Sequence, residues 1–323
     1  PNTSLKALAD TKTATWATRT VPFTAINGVL GPIGIFIAWS GFSIDTRDST
    51  VWAVANGGHD GYGGNQVLSF KLSQDAPIWV EERAPTDAAL ITAQGQQFYA
   101  DGRPPSSHSF RSQQFIEARN RPMRFGSTAV FHGSSPLFRN VVSFDPDTKD
   151  FEVDGTYPEI PSLPYFNVYG LHDAAIFKDP ATENVYIWGS ASFARWNQAE
   201  NTWTTIANVR PTQAFGAAAV DTRRNRAFYV GRIGGDLSPP VTIDLATNEF
   251  TNQTLSGIDI VALQTSGWAM VYQQMADAAD DCFLIRDGTA GGTVYRINAS
   301  TFVVDTLPTA GGSFIPQSES YSS

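Results

Sequence analysis

The chain has 323 residues, 42% hydrophobic and 12% aromatic, which supplies a sizeable core and excludes a disordered chain. Only 16% are charged, low for exposed helical faces, so an all-β chain of short strands and turns is expected. A formal net charge of −9 argues against a nucleic-acid partner, and a single cysteine, Cys282, excludes an intramolecular disulfide.

Residues 5–17 open with Leu5-Lys6-Ala7-Leu8, a polar turn, and Thr15-Trp16-Ala17, which reads as a hairpin. No basic region precedes an apolar stretch, so no signal peptide is expected, and the expected location is the cytoplasm or a virion. The apolar, glycine-rich stretch 21–37 follows. Its most apolar window carries Gly31, Pro32 and Gly34 and is too short to span a bilayer, so no membrane insertion is expected.

From residue 67 one cassette recurs: an alternating strand, a polar turn, then a strand headed by Trp or Phe. It runs Val67-Leu68-Ser69-Phe70 to Trp79, and Val141-Val142-Ser143-Phe144 to Phe151. It returns as Phe193-Ala194-Arg195-Trp196 to Trp203, Val241-Thr242-Ile243-Asp244 to Phe250, and Val294-Tyr295-Arg296-Ile297 to Phe302. The aromatic anchors are spaced 72, 52, 47 and 52 residues apart, against about 50 for a propeller blade.

Upstream of each cassette a pair of more apolar strands is expected, for example Ala174-Ala175-Ile176-Phe177 with Val185-Tyr186-Ile187-Trp188, and Ala217-Ala218-Ala219-Val220 with Ala227-Phe228-Tyr229-Val230. Cys282-Phe283-Leu284-Ile285 reads as another such inner strand, with the thiol buried. Inner strands of a blade are covered on both faces, which explains their continuous apolar character. A β-sandwich also has short strands and frequent turns, but it does not explain an aromatic returning at this period. One propeller domain over 1–323 is therefore expected.

The paired inner strands, the glycine closing the second of them (Trp188-Gly189, Val230-Gly231), and the later aromatic resemble kelch repeats and the central domain of galactose oxidase. Ala38-Trp39-Ser40-Gly41, Gly57-Gly58-His59-Asp60, Gly64-Asn65, Asp101-Gly102-Arg103-Pro104 and Ser107-His108-Ser109-Phe110 resemble a kelch-like group of bacterial and phage proteins. The resemblance implies an all-β propeller of four-stranded blades. Six blades are expected (five and seven are the alternatives), the closing one shared by the two chain ends, with Phe314-Ile315-Pro316 supplying a strand.

Galactose oxidase chemistry needs a Cys beside a ligand Tyr, a second Tyr and two His. Cys282 has no paired histidines near it, so copper-radical chemistry is not expected, and no cofactor is. The 145–150 turn superficially resembles a calcium loop but lacks its glycine and distal Glu, and reads as a hairpin turn.

The four histidines are His59, His108, His132 and His172. Three of them, His59, His108 and His172, sit at strand ends, where a propeller brings side chains to a common mouth. With Asp60, Tyr62, Asn65, Tyr99, Asp101 and Arg103 they form the candidate ligand site; hydrogen bonds that fix the loops are the competing role. The insertion at 85–105 is the other candidate binding element. A non-enzymatic binding or structural propeller is expected, a virion or surface component recognising carbohydrate or protein, alone or in a larger assembly. The alternatives are an enzyme with a histidine-lined, metal-binding mouth, and an intracellular kelch-type adaptor.

Overall fold

The computed structural model describes residues 28, 30–37, 40–58, 61–75, 77–91, 97–127, 130–131, 138–162, 174–189, 192–206, 214–233, 236–237, 239–257, 267–273, 281–287 and 294–307. They fall in two compact units, one within 1–160 and one within 161–319, each taken by itself below. Both units are propeller-type stacks of small antiparallel sheets.

Among the described residues the first unit holds two blades, each a four-stranded meander. Blade 1 is β1 (Ser43–Asp45), β2 (Thr50–Val54), β3 (Val67–Lys71) and β4 (Trp79–Arg83). Blade 2 is β5 (Gln113–Ile116), β6 (Arg121–Ser127), β7 (Phe138–Asp145) and β8 (Asp150–Phe151). Their faces meet over Trp52, Val54 and Val67 from blade 1 and Phe115, Val142 and Phe144 from blade 2, with Trp52 and Phe144 rings 6.0 Å apart. On blade 1's other face Trp79 packs beside Phe36, Phe42 and Phe70.

The described residues of the second unit form three. Blade 3 is β9 (Ala175–Lys178), β10 (Val185–Gly189), β11 (Ser192–Asn197) and β12 (Thr202–Ile206). Blade 4 is β13 (Ala214–Asp221), β14 (Arg226–Ile233), β16 (Val241–Asp244) and β17 (Phe250–Asn252), with the two-residue β15 (Asp236–Leu237) paired to β14. Blade 5 is β18 (Gly267–Gln273), β19 (Cys282–Asp287), β20 (Val294–Asn298) and β21 (Val304–Leu307). The innermost strand β13 lies beside both β9 and β18, as the leading strands of stacked blades do.

The two-residue period of a strand explains how β14 joins three sheets. Its Ala227 and Tyr229 face blade 3, where Tyr229 stacks on Trp188 at 4.4 Å. Phe228 and Val230 face blade 5, where Phe228 meets Phe283 at 4.8 Å and Phe302 at 5.3 Å. Each such aromatic contributes about 2–3 kcal/mol of burial. Cys282 is buried at the head of β19, as the strand expectation required.

Seven of the described hairpin turns share one design: Asp or Asn at the first position and a left-handed residue four positions later. The pairs are Asp45–Ser49, Asp145–Lys149, Asp179–Glu183, Asn197–Asn201, Asp221–Asn225, Asp244–Asn248 and Asn298–Phe302. In six of them the first side chain accepts the backbone N–H two residues on, at 2.8 Å from Asp147 to Asp145 and 2.9 Å from Ser300 to Asn298, whereas Asp221 accepts from the Arg224 N–H three residues on, at 3.1 Å. An Asx turn of this kind replaces the backbone bonds that the reversal interrupts.

The anchors follow from these turns. Phe151, Trp203 and Phe250 pair with Phe144, Trp196 and Ile243, and Trp79 pairs with Phe70. Phe302 departs from the expectation. The equivalent pair in blade 5 is Ile297 with Val304, and Phe302 occupies the left-handed turn position held elsewhere by Lys149 or Asn248. Its ring still reaches the same apolar layer from the turn.

Five blades are described where six were expected. Both segments assigned to the sixth, 5–17 and 314–316, lie outside the described residues. The 72-residue spacing between the first two anchors arises because segment 84–112 intervenes between β4 and β5.

Candidate functional site

The candidate residues that the structure describes all belong to the first unit, around the loop after β2 and the segment between β4 and β5. Tyr62 is fully buried; its hydroxyl accepts from Gln66 Nε2 at 3.0 Å and its carbonyl from Ser106 Oγ at 2.6 Å. A Cβ on Gly63 would stand 2.7 Å from the Phe131 ring, so the glycines of this loop serve close packing.

Asn65 is fully buried and ties three segments. Its Nδ2 donates to Thr86 Oγ1 at 3.0 Å and to the Pro104 carbonyl at 2.8 Å, and its Oδ1 accepts from the Thr86 N–H at 2.8 Å. The Thr86 hydroxyl in turn donates to Asp101 at 2.7 Å. Tyr99 is buried beside Ile91 and Phe131 and donates its hydroxyl to the Gly63 carbonyl at 2.7 Å. Burial pushes its pKa up to about 12, so it stays a phenol at neutral pH.

This chain of bonds surfaces at Arg103. Arg103 donates Nη1 to Asp101 at 2.9 Å and grips Asp150 with Nε at 3.0 Å and Nη2 at 2.8 Å. Arg83 donates to the same Asp150 from the end of β4 at 2.8 Å. The Arg103 hydrogen bonds hold the Asp150 carboxyl well below its ordinary value against the opposing effect of burial, with the Phe151 N–H and Arg83 adding to them. Burial raises the Asp101 carboxyl, but hydrogen bonds from Thr86 and Arg103 outweigh it and the net direction is down. Both acids are therefore ionised at neutral pH. The Arg103 side chain remains 32% exposed and Asp150 46%. The cluster thus presents fixed donors and acceptors at the surface.

Among the nine candidate residues, then, Asn65, Asp101 and Arg103 are joined in one hydrogen-bonded network, with Tyr99 linked to Arg103 through the backbone at 2.8 Å. Tyr62 lies in the supporting layer. His108 is buried at 7% exposure, edge-on to Phe110 at 6.0 Å. His59, Asp60 and His172, and with them the common histidine mouth, lie outside the described residues, as does His132. Among the described residues there is no group of three or more metal-type side chains.

Three members escaped sequence reading: Arg83, Thr86 and Asp150. Asp150 lies 47 residues from Arg103 and looks like any turn acid; the fold brings it to Arg83 at the end of β4 and to Arg103 in the segment between β4 and β5. No family model and no curated protein matches this chain.

Proposed function

We propose that this chain is a non-catalytic binding propeller that recognises carbohydrate through the rim around Arg103, Asp101 and Asp150. The observation that carries the reading is the half-exposed Arg103–Asp150 fork, locked from beneath by Thr86 and Asn65. Sugar hydroxyls are bound by paired donors and acceptors on a frame that does not rearrange, and this cluster supplies both. The bonds to Asp101 and Asp150 use three of the five N–H groups of Arg103. The polar side chains beneath are committed to holding the loop: the Tyr99 hydroxyl to a carbonyl, the Thr86 hydroxyl to Asp101. That favours recognition over acid–base chemistry, which needs an oriented base beside a nucleophile. The resemblance to kelch-type propellers points the same way, as fold analogy.

The test is an array of immobilised neutral and acidic oligosaccharides probed with the purified full chain. Selective retention on a related set of sugars is expected. Retention on none of them would overturn the reading.

A further inference from the structure

Arg124 occupies the middle of β6, paired with Gln113 on one side and Val142 on the other, and is completely buried. Its Nη1 donates to the Ala55 carbonyl at 3.0 Å and the Pro105 carbonyl at 3.2 Å, and its Nη2 to Ser127 Oγ at 3.1 Å. All three acceptors are neutral. Nε is buried with no hydrogen-bond partner among the described residues, and no described carboxylate pairs with the guanidinium. Asp101, the acid on the loop that leads to Pro105, is taken up by Arg103 and Thr86.

Burial lowers the pKa of Arg124 to about 10, which still leaves it protonated at neutral pH. A full positive charge therefore sits inside the unit with only neutral ligands among the described residues. A water on Nε satisfies the hydrogen bond but not the charge, and buried charges are held with a counter-charge. A second unsatisfied donor belongs to a residue tied to the same Ala55 carbonyl. The Ser107 hydroxyl is buried without a partner among the described residues, and the Ser107 N–H meets the Ala55 carbonyl at 3.0 Å, the oxygen that Arg124 Nη1 also reaches.

We propose that Arg124 Nε and Ser107 Oγ hold a small monovalent anion of halide size, chloride in solution, buried between blades 1 and 2. It neutralises the guanidinium that pins the Ala55 and Pro105 carbonyls, and so fixes the loop after β2 against the segment leading into β5. The site is distinct from the Arg103 rim, and neither depends on the other.

Crystals of the full chain soaked in bromide test it, with data collected at the bromine edge. An anomalous peak within hydrogen-bond distance of Arg124 Nε is expected. In solution, chloride replacing gluconate at constant ionic strength raises the melting temperature of the wild type. Ser107→Ala moves that response to higher chloride, and Arg124→Met abolishes it where the variant folds. Three results overturn the proposal: an acidic side chain of the chain itself seated on Nε, no anomalous peak, or a bromide peak with chloride-independent melting, which means binding at crystal concentration only.

Discussion

Arg103 and Asp150 meet through two parallel hydrogen bonds, Nε to Oδ1 at 3.0 Å and Nη2 to Oδ2 at 2.8 Å, which join the inter-blade segment to the first residue of β8. A planar fork matched to a carboxylate is something lysine cannot reproduce. Arg103→Lys is expected to destabilise the chain by about 1 kcal/mol, a modest figure because half-exposed Asp150 is screened by solvent. Urea unfolding of the two proteins measures it, and an unchanged midpoint contradicts the fork as a structural tie.

The same pair sets an acid response. Asp150 has a folded pKa well below the unfolded value of about 3.9. Its stabilisation is present above that unfolded value and is lost as pH falls through it toward the folded value. The wild type should therefore lose melting temperature steeply below about pH 4. Asp150→Asn should melt lower at pH 7 and show a shallower slope in acid. Parallel curves for the two proteins contradict this assignment.

The left-handed turn positions separate backbone strain from packing. Lys149 (φ 57°) and Glu183 (φ 57°) pay a conformational cost that glycine avoids. Lys149→Gly and Glu183→Gly are each expected to stabilise by about 0.5–1 kcal/mol, after the extra chain entropy of glycine is subtracted. Phe302 has the same backbone (φ 56°) but a 7% exposed ring against Phe228. Phe302→Gly should destabilise by about 2–3 kcal/mol, since the lost ring outweighs the relieved backbone. Chemical denaturation of the three variants decides between the two effects, and a common sign for all three contradicts the argument.

Two glycines make a complementary pair. Gly63 has its Cβ direction blocked by the Phe131 ring at 2.7 Å, whereas Gly102 has nothing within 4 Å but a φ of +79°. Gly63→Ala is expected to cost about 2 kcal/mol through forced repacking, and Gly102→Ala about 1 kcal/mol through the backbone alone. Thermal melts check the order, and an equal loss in both contradicts the packing role of Gly63.

The legible parts of the sequence were those where burial and strand period agree. β9, β10, β13 and β14 are apolar runs because both faces are covered, and the outer hairpins alternate beside polar turns. Blade 2's inner pair was not legible. β5 and β6 read Gln-Gln-Phe-Ile and Arg-Pro-Met-Arg-Phe-Gly-Ser, and they bury Gln113 and Arg124, residues that sequence patterning assigns to the surface. Gln113 is satisfied by blade 1, exchanging two hydrogen bonds with the Val54 backbone at 3.0 and 3.1 Å, whereas Arg124 reaches the Ala55 and Pro105 carbonyls but keeps Nε without a partner among the described residues. Phe302 misled for a different reason: an aromatic in a turn can reach the layer that its neighbours fill from the strand. Of the candidate site, Asp101 and Arg103 were visible as a polar loop pair, but their partner Asp150 was not, because spatial stacking rather than sequence distance unites them.

The binding reading is tested most directly by comparing two arginines of matched chemistry on the oligosaccharide array. Arg296 grips Asp305 with the same fork, at 3.0 and 2.6 Å, on the exposed outer hairpin of blade 5. Wild type, Arg103→Ala and Arg296→Ala, each confirmed folded by its melting transition, are applied at equal concentration. The account predicts retention by the wild type and Arg296→Ala, and at least a tenfold weaker signal for Arg103→Ala, which corresponds to about 1.4 kcal/mol of binding. Equal retention of all three proteins would contradict it.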